Sequence, residues 1–506
     1  MRNTRRWWAL GAISLAVLAI TLDVTVLSLA LPTLAGVFKV SESILQWFMT
    51  AYTLALVAGM LPAGFLGDRF GQKTVMAAAL VLFALGSLGC AYAPDAAVFI
   101  AARIAVALAG AAATVVALSV LTTLFSEEER PRAVGIWGAA NFLGLPLGPI
   151  IGGWILSHAW WGWIFLMNVP VAVVALVAVV LLVPSSRTRG RQGFDLSGLG
   201  LSSAGLVALM YGVIAAGSDG WGSARALLPV LAGIALLLLF GLWEGRVARK
   251  PPRQPLVDLS LFRSRSFTWG VILTAFGTLG LFGVLFGLPQ FLQAIEGVGP
   301  EASGVRLLPL IAGMILGAVP ADRVAAKIGA RFTVAGGFAV VCAGSLLGGA
   351  MTVQSADSYI SLWTFIVGLG AGLGFATAAS AALVELPQDR SGVGSALLQA
   401  VVKLGPAFGS SLLGSILNST YQARVPLAGL PTGAVEAVKT SVFAGIAVAR
   451  HLGSQSLRLA VQRAFVAGMD QSVLATAGIA AVAIVLGLLF LPRGRGSVEE
   501  RVGESS

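Results

Sequence analysis

Histidine and cysteine are almost missing from this chain of 506 residues, with two of each, and charged residues make up only 11% of it. The two cysteines, Cys90 and Cys342, lie inside apolar runs far apart in sequence. They read as small hydrophobes in helices, not as a disulfide or a metal site. No residue cluster has metal-ligand spacing, and no ATP-binding motif is present. The glycine-rich run Gly368–Gly374 lies in the middle of an apolar segment with no strand before it, so it is not a nucleotide loop. The chain therefore reads as neither an enzyme nor a cofactor carrier. Scarce charge, 57% hydrophobic residues and a mean hydropathy of +0.90 exclude a soluble domain of this length. A net charge of +11 would suit nucleic acid, but the basic residues fall in short clusters between apolar runs. No nucleic-acid partner is expected.

What the chain does have is apolar runs long enough, at roughly 20 residues, to cross a bilayer. They lie near 7–31, 44–66, 74–92, 98–124, 133–156, 162–184, 196–216, 226–244, 267–292, 304–320, 332–352, 359–386, 392–418 and 471–492. Lys and Arg concentrate at alternate connections, which places both termini in the cytoplasm of a multi-pass protein of the cell membrane. The start, Met1–Arg6, resembles a signal peptide. The apolar stretch after it exceeds a typical h-region and contains Asp23, so it reads as a retained first span. Two linkers, Ser185–Gln192 and Gly245–Phe267, bracket a helix pair and leave six spans on either side. The expected fold is an all-α polytopic membrane protein with 14 transmembrane helices arranged 6+2+6. Its parts are a six-helix bundle over 1–184, linkers and two inserted helices over 185–266, and a second six-helix bundle over 267–506. Segment 419–469 of the second bundle lies outside the membrane, with helices expected at Val435–Ala449 and Leu457–Ala467. These pack on the outer mouth or bind a partner.

The most informative residue is Asp23, a carboxylate inside the apolar run Trp7–Leu31. A charge within a span is costly and marks a functional site. Arg103 and Lys403 are embedded too. At helical rise Asp23 and Arg103 lie roughly 13 Å and 12 Å from the outer end of their spans, and Lys403 roughly 16 Å from the inner face. All three can share a level, and pairing among them is expected.

Two motifs stand out. Gly64, Asp68, Arg69, Gly71 and Lys73 mark a tight loop between spans, in which Asp68 can accept hydrogen bonds from helix N-termini. A degenerate copy occurs at Ala321–Arg331, the corresponding place in the second bundle. In span 5, Gly144, Gly148 and Gly152, with Gly153, recur at helical spacing and offer a face for close helix approach, while Pro146 and Pro149 bend the helix.

The loop resembles the signature of the major facilitator superfamily, and the Gly144–Gly153 stretch resembles its antiporter motif. Leu22–Thr25 through Pro32, Gln46 with Trp47 and Tyr52, Trp161–Pro170, Leu288–Gln293, Arg306–Pro309 and Ser391–Ala396 extend the likeness over essentially the whole chain. They resemble the fourteen-helix drug:proton antiporters of the quaternary-ammonium and multidrug efflux type. The pattern departs at Arg103, which is followed by Ile104–Ala107 where a polar neighbour is usual, at Ser28 in place of Asn, and at Gly162 in place of Arg. The resemblance implies a monomeric, proton-coupled exporter of lipophilic, often cationic drugs working by alternating access. Its partners would be drug-like small molecules, protons and the lipid bilayer, and the proton gradient would stand in for any cofactor. Asp23 and Arg103 would couple protons, and the Asp68 loop would form a gate contact between bundles on the cytoplasmic side. Candidates for the substrate cavity are Trp47, Tyr52, Asn141, Phe286, Gln290, Gln293 and Lys403; no metal is expected. The alternatives are a dedicated antibiotic self-resistance or metabolite exporter, and a membrane scaffold or sensor without transport.

Overall fold

In lipid every backbone N–H and C=O must be satisfied within the chain, so long apolar runs fold as helices. The structure, a computed structural model, describes residues 3–40, 42–126, 128–184, 195–249, 257, 259–384, 391–427 and 430–492. Among them all regular structure is helical. The first half comprises α1 (Asn3–Phe38), α2 (Glu42–Phe70), α3 (Gln72–Ala91), α4 (Ala96–Leu124), α5 (Arg130–His158), α6 (Trp163–Leu166) and α7 (Asn168–Leu182). A pair, α8 (Leu196–Asp219) and α9 (Ala224–Val247), follows. The second half holds α10 (Arg265–Ala294), α11 (Pro300–Arg306), α12 (Leu308–Ala318), α13 (Ala321–Ile328), α14 (Ala330–Gly348), α15 (Asp357–Val384) and α16 (Ser391–Arg424). It closes with α17 (Thr432–Thr440), α18 (Val442–His451) and α19 (Gln455–Phe490).

Twelve helices among the described residues are long and apolar enough to cross a membrane, and thirteen if the bent pair is one span. In that pair, residues 302–318 and α13 meet at 45° beside Pro320, where a missing N–H interrupts the helix ladder. The expected linker residues 185–192, with Pro251, Pro252 and Pro255, lie outside the described residues.

The two halves pack alike. In the first, α1 lies on α5, and α4 lies on both α2 and α3. In the second, α10 lies on α16, and α15 lies on both α12 and α14. The loop motif shows the same correspondence at the backbone. Gly71 joins α2 to α3 at φ 90° and ψ 134°, and Gly329 joins α13 to α14 at φ 84° and ψ 152°. Side chains disfavour that region, which is why both copies keep glycine after the rest has diverged. The α8–α9 pair rests against α2 on one side and α16 on the other. There Ser203 donates to the Ala58 carbonyl at 2.9 Å, and Trp221 stacks with Phe408.

Helix α1 continues past Pro32 to Phe38, seven residues beyond the apolar run that ends near 31. Two expectations need correction. Leu457–Ala467 is not a separate helix but the opening of the 36-residue α19, since no proline or turn interrupts the chain before Gln471. Val435–Ala449 is two helices, broken at Ser441, whose hydroxyl accepts the Phe443 N–H and starts α18.

The glycine face of α5 meets α1. A Cβ at Gly144 would come within 2.8 Å of Thr21 Cβ, at Gly148 within 2.6 Å of Thr25 Cβ, and at Gly152 within 2.8 Å of Val26 Cγ1. Gly153 is half-buried, and the side chain of Pro149 is outside those described. The close approach lets the Thr25 hydroxyl reach the Gly144 carbonyl at 3.0 Å. Gly148→Leu should therefore destabilise the protein by about 2–3 kcal/mol through overpacking. Gly11→Ala, where a Cβ meets nothing within 4 Å, should be neutral. Thermal unfolding of both variants in detergent checks this, and equal melting temperatures would show that the α1–α5 contact is dispensable.

Candidate functional site

Asp23, near the middle of α1, is 1% exposed, and so is Arg103 on α4. Burial at this depth requires each charge to find a partner inside the bundle. Arg103 Nη1 donates to Asp23 Oδ2, and the second carboxylate oxygen accepts the Asn168 Nδ2 amide at 2.9 Å. Asn168, at the start of α7, also lies 3.5 Å from the Ser87 hydroxyl on α3. The guanidinium lies over the Tyr52 ring of α2, 4.3 Å from its centroid, and 5.9 Å from that of Phe165. Four helices and the start of α7 thus converge on one carboxylate. It is held by one charged and one neutral donor, while the cation is covered by ring faces.

Asp23, Arg103 and Tyr52, expected from sequence, are brought together here. Asn168 and Ser87 were not anticipated. The signal for Asn168 was available: it is a lone amide within the apolar stretch Ile164–Val169, the same anomaly that marks Asp23. Lys403 does not join them. It is half-buried on α16, where that helix packs on α2 and α4, and no acid among the described residues pairs with it. Asn141 faces α1, its side-chain oxygen accepting from the Thr21 hydroxyl.

The remaining cavity candidates divide. Trp47 is 48% exposed. Phe286 packs toward Gly414 of α16, Gln290 donates back to the Phe286 carbonyl at 2.9 Å, and Gln293 is half-buried on the same helix. Phe48, Trp137, Phe291 and Trp363, aromatic residues suited to stacking on a flat ligand, are at most 1% exposed and serve as core.

The loop motif lies at the basic end of the helices. Asp68 Oδ2 accepts the Val393 N–H at 2.9 Å, a bond from α2 to an otherwise unpaired donor in the first turn of α16. Arg130 on α5 reinforces this seam, donating to the Leu383 carbonyl on α15 at 3.4 Å. Gly64 is buried in α2, Arg69 lies over the Phe65 and Phe70 rings, and Lys73 donates to the Val180 carbonyl of α7 at 2.6 Å. The motif therefore both fastens the bundle and crosses to the other half.

Membrane-length helices folded into two similarly packed halves, around charges that lipid would not tolerate, are the construction of an integral membrane transporter. The chain belongs to the Major Facilitator Superfamily, whose pattern residues 13–410 match. That family and fold are those of transporters, not enzymes. The chain is 31% identical to the tetracenomycin C resistance and export protein of Streptomyces glaucescens, over 99% of its own length and 94% of the relative's. It is 30% identical to the multidrug efflux pump LfrA of Mycolicibacterium smegmatis, over 96% and 97% of the two chains. The puromycin resistance protein of Streptomyces alboniger is 31% identical over 83% and 84%. Among solved structures, the proton:xylose symporter XylE matches 97% of both chains with a TM-score of 0.63; at 15% identity this shows a shared fold.

The geometry makes the two buried charges interdependent. Asp23→Asn should cost about 3–5 kcal/mol, because it strands the Arg103 cation without a counter-charge. Asp23→Asn combined with Arg103→Gln should recover more than half of that loss. Additive losses in thermal unfolding of the single and double variants would show that the pair does not act as a unit.

Proposed function

We propose that the protein is a proton-coupled antiporter that exports lipophilic, often cationic drugs by alternating access, drawing on the proton gradient with no cofactor. One observation carries the reading: the only buried acid–base pair among the described residues, Asp23 with Arg103, lies in the first bundle of a fold whose named relatives export or resist antibiotics and other drugs. A proton and the Arg103 guanidinium compete for the same carboxylate. Protonation of Asp23 removes the attraction, leaves the cation to the Tyr52 ring, and favours a conformation in which Arg103 finds another acceptor.

On this reading the chain has fourteen spans as 6+2+6, with α5, 29 residues long, completing the set. The bundles are 1–184 and 267–506, and 185–266 carries the inserted pair. The basic end, with both termini, faces the cytoplasm of a monomer in the cell membrane. The Asp68–Val393 bond is then the closed cytoplasmic latch, and its release admits substrate to the seam between α2, α4, α5 and α16. The resistance proteins for tetracenomycin C and puromycin favour a second reading, an exporter dedicated to one antibiotic.

Energised inverted membrane vesicles with a panel of fluorescent dyes and antibiotics test both readings. Asp23→Asn should lower uphill transport at least tenfold while dye binding persists. Wild-type proton-driven transport in that variant would overturn the assignment, and transport of a single compound class would favour the dedicated exporter.

Lys403 brings an unpaired positive charge to the α16 face of the seam, which disfavours multiply charged cations there. Lys403→Gln should raise transport of dicationic over monocationic dyes severalfold. An unchanged ratio in a stable variant would remove Lys403 from the substrate path.

A further inference from the structure

Beyond the ion pair, toward the end of the bundle opposite the basic one, lies a layer of rings that the transport reading leaves without a role. Three of its members stand three or four residues before the polar residues. Phe48 is four residues before Tyr52 on α2, Phe99 four before Arg103 on α4, and Phe165 three before Asn168. All three chain segments run toward the basic end, so each ring lies about one helical turn, roughly 5 Å, farther out than its polar partner. Phe38 at the end of α1 and Trp161 complete the layer.

The rings are continuous. Phe48 and Phe99 have centroids 4.6 Å apart, and Phe99 and Phe165 5.5 Å. Phe38 touches Phe48, Phe99 and Trp161 at 5.4–5.9 Å, and Trp161 reaches Phe165 at 6.4 Å. Phe48, Phe99 and Phe165 are no more than 1% exposed. The buried residues of α1 beyond Asp23, namely Val26, Leu27, Ala30 and Leu34, are apolar as well. The five rings offer a moving proton only one polar group, the Trp161 indole N–H, which donates and cannot accept.

We propose that Phe38, Phe48, Phe99, Trp161 and Phe165 form an insulating plug that denies protons a route to Asp23 through the interior of the first bundle from this end. The plug is a coupling element. With the interior route closed, protonation of Asp23 can occur only when the bundles separate at their seam, which ties each proton to a conformational step. This consequence rests on the antiport reading; the insulation itself does not.

The test uses the full chain in liposomes loaded with a pH-sensitive dye, without substrate. Wild type should pass protons no faster than protein-free liposomes, whereas Phe99→Ala should raise the flux at least tenfold and Phe99→Leu, which keeps apolar bulk, much less. Adding Asp23→Asn to Phe99→Ala should abolish the leak; a leak that survives it would overturn the plug as a guard of Asp23. Phe38→Ala, at the half-buried end of α1, supplies a milder variant should Phe99→Ala unfold. A second readout needs no transport. Cys90 is fully buried, lies within electrostatic range of Arg103 and Asp23, and is one of two cysteines. Cys90 is three residues beyond Ser87 on α3 and so level with the rings; in a Cys342→Ser background a small maleimide should fail to modify it while the plug is intact and should modify it in Phe99→Ala. Folded variants with neither leak nor labelling would overturn the proposal. Wild-type efflux that ignores the proton gradient would defeat the antiport reading, while Cys90 labelling would still decide the plug.

Discussion

The structure depends on a carboxylate that must not be left alone. Asp23 is buried, so its carboxylate needs the donors that Arg103 and Asn168 supply from two other helices. Those donors fix where α4 and α7 stand relative to α1, and the Tyr52 ring brings α2 into the same arrangement. A charge pair replaced by leucines would pack as well and hold the helices no less firmly. What the pair adds is a dependence of the α1–α4 contact on both charges being present.

Close backbone approach is the second condition. Helices in lipid gain little from hiding apolar surface from one another, so they associate where small residues let them touch. The glycine face of α5 performs this for the helix that carries Asp23, holding Thr21, Thr25 and Val26 on both sides of the carboxylate in sequence. Gly313 and Gly317 of α12 and Gly368 and Gly372 of α15 do the same in the second half, with backbone against backbone. In the first half such a contact flanks a buried ion pair, whereas in the second Gly405 and Gly409 of α16 pack on α10 beside Lys403, which has no acid partner among the described residues. The halves share a frame and differ in chemistry.

Much of this was legible in the sequence, for reasons that differ by residue. Asp23 and Arg103 were visible because a charge inside an apolar run has few explanations, and Gly71 because a tight turn between helices demands it. Asn168 escaped notice because an amide contrasts less with its surroundings than a carboxylate does. The start of α19 was misplaced because hydropathy marks where lipid ends, whereas a helix ends where its hydrogen-bond ladder is interrupted. That Phe48 and Phe99 are sealed while Trp47 is open could not be read from spacing, since rotation of a helix about its axis is set by its neighbours.

The length of α19 has a practical consequence. Thirty-six residues of helix measure about 54 Å, against about 30 Å of hydrocarbon, so nearly half of it extends beyond the apolar core of the bilayer. Bound to it are α18 and, through the Gln462 amide on the Ile295 carbonyl, the end of α10. Particles of a small transporter with two look-alike halves are hard to orient in electron images, because detergent hides what distinguishes them. Here the crest that α17, α18 and the start of α19 form on the second half supplies an intrinsic fiducial, and its tilt against the detergent belt would report how that half is oriented.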